Sequence, residues 1–411
     1  MGTANQRSTL KSDSEVIPLW RLFLIYIVIG STGFGPTLAA ETKKRLVQKE
    51  QWIKEEDFVN GLSLAQLLPG AIFVNLTVYV GYKLRGISGA LTAFLAFLLV
   101  PFATVLILSH VYFTYQTIEV VSILFKGVAV VIVGVIAHAV IEVGRSTVVD
   151  MAAGIIALVS AGLMLFSGSP FTVLLIAALA GILAYYRSLQ RQTEVLLEAR
   201  STAPKNDCFL AVRVWRFIAL GTIAAIALYA APVQPILMQL GWVFFRMGAV
   251  LFGGGLSMIP FIQQEVVSHY GWMTLEEFAV GIALSQMTPG PVLIIATFVG
   301  YKVAAISGAI AATMGIFLPS LFLVMGTAQI HQKIRNTTWV QAALKGIAAS
   351  FTGMMAVLVV GLARHSLTDI PSFIVAMMAF LAMRFGKLDI IVTIVSGTIV
   401  YWLLALMGIV M

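Results

Sequence analysis

Apolar runs follow one another along almost the whole chain, most of them about 17–25 residues long and so able to cross a bilayer as helices. They fall at 18–40, 58–82, 87–110, 118–142, 148–166, 170–186, 214–231, 236–261, 278–301, 305–328, 338–362, 370–383 and 388–411. Polar stretches at 41–57, 187–213 and 262–277 interrupt them. The middle stretch holds Arg187, Arg191, Glu194, Glu198, Arg200 and Lys205 and reads as a helical extension running into a linker around Pro204. These boundaries predict a polar tail over 1–17 and a first repeat over 18–186. A basic cytoplasmic linker with one extra transmembrane helix follows over 187–235, then a second repeat over 236–411. No small-residue cleavage pattern follows the first run, so it reads as a membrane segment and not as a cleaved signal.

The two halves resemble each other residue by residue. Trp52, Phe58, Gly61, Gln66 and Pro69-Gly70 match Trp272, Phe278, Gly281, Gln286 and Pro289-Gly290 at a shift of 220. Gly81-Tyr82-Lys83 meets Gly300-Tyr301-Lys302, Ile87-Ser88-Gly89-Ala90 meets Ile306-Ser307-Gly308-Ala309, and Lys126, Arg145 and Asp150 meet Lys345, Arg364 and Asp369, all at 219. Chance apolar similarity would not keep Trp, Gln, Pro and Lys together in one register. The chain is an internal duplication.

Seven apolar segments separate Trp52 from Trp272, because 214–231 has no counterpart in the repeat. An odd number inverts the second half. Charge agrees: with the N-terminus inside, Lys83, Arg85, Arg145, the basic linker, Lys333, Arg335, Arg384 and Lys387 fall on the cytoplasmic side, as the positive-inside rule expects, leaving Lys126, Lys302 and Arg364 as outer positives. The loop 41–57 carries Lys43, Lys44, Arg45, Lys49 and Lys54, and its partner 262–277 carries no Lys or Arg. Full crossings would put the basic loop outside. Segments that dip in and return at a break keep it cytoplasmic, and the count between the tryptophans falls to five, still odd. The expected fold is an all-α polytopic membrane protein with two inverted-topology repeats and broken or re-entrant helices, N-terminus cytoplasmic and C-terminus external. Inverted repeats are characteristic of secondary transporters.

Composition narrows the function. Of 411 residues 60% are hydrophobic and 11% charged, against about 25% charged in soluble domains, which excludes most soluble enzymes. The net charge of +8 belongs to membrane flanks rather than to a nucleic-acid interface, and Cys208, the lone cysteine, forms no internal disulfide and fits no metal spacing. No catalytic constellation, Walker motif or cofactor fingerprint is present, so neither an enzyme nor a bound cofactor is expected.

The chemistry sits at the breaks. Each half opens with one, Gly33-Phe34-Gly35-Pro36 and Phe252-Gly253-Gly254-Gly255. Each has a second, Gln66-Leu67-Leu68-Pro69-Gly70 and Gln286-Met287-Thr288-Pro289-Gly290-Pro291. Proline frees a carbonyl and glycine permits φ > 0, and such backbone survives in hydrocarbon only inside protein or along a wet cavity. A half-helix starting there aims unpaired N–H groups and a positive dipole end at that cavity, which suits an anion. Arg246, deep in the eighth segment, either faces that anion or pairs with a buried acid; the first half has Val28 there. His138 and Glu142, four apart on one helix face, are candidates for proton coupling or for an ordinary polar contact.

These residues together resemble the chromate ion transporter family in its long, two-domain form. The second half carries most of the likeness, with Arg246-Met247-Gly248-Ala249, Phe252-Gly253-Gly254-Gly255, Met258-Ile259-Pro260, Gln263, Glu265, Gly271-Trp272, Gln286, Thr288-Pro289-Gly290-Pro291 and Gly300-Tyr301. The first half shares Phe34-Gly35, Trp52, Phe58, Gln66, Leu68-Pro69-Gly70, Gly81, Gly89-Ala90 and Pro101. It departs where Gly35 runs straight into Pro36, where Ala71 replaces a usual proline and where Asn75 replaces a common glutamine. The resemblance implies export of chromate across a prokaryotic inner membrane, driven by the proton motive force. The partners are then an oxyanion, protons and the lipid bilayer, with no nucleic acid and with a homo-oligomer left open. A carrier of sulfate or another oxyanion and an uncoupled anion channel are the alternatives. The site is expected at Gly35, Pro36, Gln66, Pro69, Gly70, Arg246, Gly253, Gly254, Gly255, Gln286, Thr288, Pro289, Gly290 and Pro291.

Overall fold

The structure, a computed structural model, describes residues 17–35, 37–167, 169–198, 235–250, 255–327 and 338–409. The segment 214–231 and the linker beyond Glu198 therefore lie outside the described residues. All elements of the first half are helical: α1 Leu19–Thr32, α2 Thr37–Thr42 running into a π-helical turn Lys43–Lys49, α3 Glu55–Leu67, α4 Ile72–Tyr115, α5 Glu119–Thr147, α6 Met151–Ser167 and α7 Pro170–Glu198. The second half repeats the order with α8 Pro235–Val250, α9 Ile259–Gln263 and its π turn Gln264–His269, α10 Leu275–Met287, α11 Ile295–Thr327, α12 Thr338–Ser366, α13 Ile370–Arg384 and α14 Ile390–Leu406.

Helix α4 is not a rod. Forty-four residues would span about 66 Å, but Arg85 (φ −142°, ψ 22°) and Gly86 (φ 61°, ψ −144°) turn the chain back on itself. Gly81 then lies against Gly89, and a methyl on Gly81 would stand 2.5 Å from the Gly89 carbonyl oxygen. Small residues are what allow two helix backbones to approach this closely without a strong hydrophobic drive. Helix α11 turns in the same register at Ala304 and Ala305 (φ 49°), with Gly300 against Gly308 and the Thr297 and Thr313 hydroxyls 2.7 Å apart.

The runs 58–82 and 278–301 are re-entrant hairpins rather than single crossings. Lys83 pairs with Asp57 at 3.0 Å and Gly61 faces Tyr79, two contacts placed symmetrically about Gly70. So α3 and the first limb of α4 run antiparallel, with Leu68–Ala71 at the tip. Lys302 with Glu277 at 2.6 Å and Gly281 against Phe298 bracket Pro289-Gly290 likewise. The first limb of α4, thirteen residues and about 20 Å, falls short of a hydrocarbon core of about 30 Å. The run 18–40 also returns: Arg85 donates to the Ile17 carbonyl at the start of α1, and Lys43 bonds Glu55 at the foot of the hairpin.

The repeats are inverted. Tyr301 hydrogen-bonds His110 at 2.7 Å and stacks on Phe113, while Lys302 sits 5.0 Å over the Phe113 ring. The foot of the second hairpin is thus at the far end of the long limb of α4, about 40 Å from Arg85 by helix rise. The halves also exchange helices: α5 packs against α13 and α14, and α12 against α6 and α7. Gly134 admits the Ala376 carbonyl and Gly353 the Ala157 carbonyl, one contact in two copies. The matched aspartates Asp150 and Asp369 are N-caps, accepting from Ala153 and Ser372.

Candidate functional site

The breaks of one half meet elements of the other. Helix α1 ends at Gly33, and the Thr37 hydroxyl closes the turn by accepting from Phe34 N–H at 3.0 Å and donating to its carbonyl at 2.8 Å. Gly35 takes φ +47°. The Gly290 N–H then donates to the Gly33 carbonyl at 2.9 Å, and Phe34 and Gly290 form an isolated parallel bridge. The first break of one repeat is thereby tied to the second break of the other. Gly290 has φ +108° and Gly70 has φ +107°. A methyl on Gly290 would lie 2.4 Å from the Pro101 ring of α4, and one on Gly70 would lie 2.2 Å from the Ser320 hydroxyl of α11. Gly255 abuts Val292 at the start of the second hairpin's return limb.

At both tips a helix begins. The limb from Ile72 follows Ala71, and the turn Val292–Ile294 follows Pro291, neither with a side-chain cap. Their first-turn N–H groups are the donors that such ends leave free for an anion. The C-terminal end of α3 is treated differently. Asn75, fully buried, donates its amide to the carbonyls of Ala65, Leu68 and Pro69 at 3.2–3.4 Å. That quiets the negative end of the same hairpin, and the positive end of the return limb dominates. In the second half the work passes to hydroxyls, Ser285 donating to Gly281 and Thr288 to Ser285.

Of the remaining expected residues, Gln66 is exposed, while Gln286 has a buried Nε2 without a partner among the described residues. Pro69 and Pro289 are half-buried at the tips. Pro36, Gly253 and Gly254 lie outside the described residues. Arg246 pairs with Glu265 of the π turn at 3.0 Å and stands 4.5 Å over the Phe171 ring of α7, and its Nε is buried without a partner among the described residues. Of the two readings of Arg246, the acid is therefore present. His138 is half-buried and Glu142 exposed, and no hydrogen bond or ion pair joins them. Their spacing permitted a pair that the packing of α5 does not make. Ser320 was legible only as the residue matching Pro101 at the repeat shift of 219, and Asn75 only as a departure from the family pattern.

A family model described as chromate transporter matches residues 20–182 and 238–402, one copy on each repeat. The chain belongs to the chromate transporter family. Membership makes it a multi-pass membrane transporter, not an enzyme. A chromate transport protein of Cupriavidus metallidurans is 30% identical over 379 residues, covering 90% of this chain and 89% of the relative. A probable chromate transport protein of Synechococcus elongatus is 29% identical over 393 residues, covering 93% and 96%. An uncharacterized transporter of Methanocaldococcus jannaschii is 28% identical over 407 residues, covering 98% of each. No solved structure matches this member of the chromate transporter family.

Proposed function

We propose that the chain is a secondary carrier that exports a tetrahedral oxyanion, chromate first, from a prokaryotic cytoplasm at the expense of the proton motive force. The observation that supports the reading is the Gly33–Gly290 bond, which ties a break of one repeat to a break of the other. An oxyanion in a low-dielectric interior needs several donors at once, and uncapped half-helix starts at Ile72 and Val292 with the Gln286 amide are candidates to supply them. Relatives named as chromate transport proteins support chromate as the cargo. An inside-negative potential itself favours anion export, by about 2.3 kcal/mol per charge per 100 mV. The deciding experiment is chromate flux into inverted proteoliposomes with and without an imposed pH gradient. Gradient-stimulated uptake is expected; equal flux in both conditions leaves an uncoupled channel, and preference for sulfate in competition reassigns the cargo. The same assay on His138→Ala tests coupling: loss of the pH stimulation with binding intact assigns His138 to it, and unchanged stimulation removes it.

The orientation follows from charge. Lys43, Lys44, Arg45, Lys49, Lys54, Lys83 and Arg85 gather at the foot of the first repeat, which we assign to the cytoplasm of an inner membrane, with the C-terminus outside and the segment 187–235 joining the halves. A cysteine at Lys49 in an otherwise cysteine-free chain is expected to resist impermeant thiol reagents in intact cells and to react after permeabilisation. Labelling from outside would reverse the assignment.

A further inference from the structure

At the tip of the first hairpin two buried polar atoms have no partner among the described residues, Asn75 Oδ1 and Ser320 Oγ. Both residues are 0% exposed. Both atoms border one spot beside Gly70: a methyl there would lie 2.2 Å from Ser320 Oγ and 3.3 Å from Asn75 Oδ1. The orientation of the amide is set by its surroundings, since three backbone carbonyls at 3.2–3.4 Å can be met only by the NH₂ group. Asn75 therefore presents a bare acceptor. Next to it the return limb begins at Ile72 without a side-chain cap, presenting donors.

A fully deprotonated oxyanion satisfies the donors and repels the acceptor. An oxyanion that keeps one proton satisfies both, its O–H donating to Asn75 Oδ1 and its bare oxygens accepting from the Ile72 end and from the Ser320 hydroxyl. Resting on the reading of the chain as an oxyanion carrier, we propose that Gly70, Asn75 and Ser320 form a subsite for the protonated oxygen of a monoprotonated oxyanion, hydrogen chromate in the case of chromate. Gly70 is required there because its backbone has φ +107° and any Cβ would collide with the Ser320 hydroxyl, displacing one wall of the subsite. The second hairpin lacks this pair. Ile295 stands where the repeat puts Asn75, and Gly290 faces the Pro101 ring instead of a hydroxyl. The subsite predicts discrimination against sulfate, because chromate takes up a proton near neutral pH and sulfate does not.

The ionisable groups on the packed elements stand away from this spot. Glu55, Glu56, Asp57, Lys83, Arg85 and Lys302 occupy the feet of the hairpins, His110 is near the far end of α4, and Tyr79 faces Gly61. Asp57 and Lys83 are each thirteen residues from Gly70, about 20 Å along the helix.

The test is equilibrium binding of radiolabelled chromate and sulfate to the purified full chain between pH 8 and pH 6. Chromate affinity is expected to rise as pH falls, in step with the hydrogen chromate fraction, with sulfate weak and flat across the range as the control for titration of the protein. Ser320→Ala is expected to weaken chromate binding about tenfold while keeping that pH trend. Chromate affinity that is flat or follows the dianion overturns the proposal. So does sulfate affinity that moves in parallel, or a Ser320→Ala variant that binds chromate like the parent, which leaves only water at the spot. Failure of both chromate and sulfate to bind at every pH defeats the carrier reading itself, an outcome distinct from binding with the wrong pH trend.

Discussion

Gly290→Val is expected to abolish oxyanion transport in a chain that still inserts in the membrane. Three effects combine at this position. The backbone there has φ +108°, which a β-branched residue does not tolerate, and strain of this kind costs on the order of 1–3 kcal/mol. Any side chain collides with the Pro101 ring, whose Cγ lies 2.4 Å from the place of a Cβ. Relief of that collision moves the tip, and the tip carries the N–H bonded to Gly33, so the link between the two repeats parts. Flux in proteoliposomes, normalised to folded protein by size-exclusion profile, is the measurement. Gly162→Val is the matched control, since a Cβ at Gly162 meets nothing within 4 Å. Parent-like flux from Gly290→Val would mean that the glycine only packs helices.

The second large effect is expected from Arg246. Removing one partner of a buried ion pair costs about 3–5 kcal/mol because the other charge stays buried alone. Glu265 has a side chain 7% exposed, so it meets that description, but Arg246 is 37% exposed and the cost falls to roughly half. Arg246→Ala is therefore expected to lower thermal stability in detergent and to reduce flux by at least about tenfold. Arg246→Lys is expected to retain more of both, since a single contact to Glu265 and the position over Phe171 need charge more than a planar fork. The double variant Arg246→Ala with Glu265→Ala separates two roles. Removing the stranded acid is expected to recover stability but not flux, as an arginine that also serves the anion requires. Recovery of flux along with stability would reduce Arg246 to the structural partner of Glu265.

Much of the architecture was legible before any coordinates. Run lengths and the scarcity of charge dictate helices in a bilayer, because unpaired backbone groups have no other solution there. The matched tryptophans, glutamines and Pro-Gly pairs dictate a duplication, and the basic 41–57 loop against a partner without Lys or Arg argues that the flanking helices turn back. Even the tips were legible, since the Pro-Gly pairs Pro69-Gly70 and Pro289-Gly290, matched in register in both halves, mark helix breaks. These are local consequences of chain chemistry.

Which tip faces what is not local. The bond from Gly290 to Gly33, the Ser320 hydroxyl beside Gly70 and the exchange of α5 and α12 between the halves join residues well over 100 positions apart. In the sequence Ser320 is one small polar residue among many on apolar helices, marked only by its match to Pro101 in the repeat. His138 and Glu142 show the converse, a spacing that allows a pair and a packed helix that does not form one. Arg246 was visible as a costly charge, but only the fold of the π turn brings Glu265 to it. Periodicity and composition specify where a helix lies and where it breaks. Which side chains then meet is decided by close packing between elements, and that is a property of the assembled structure alone.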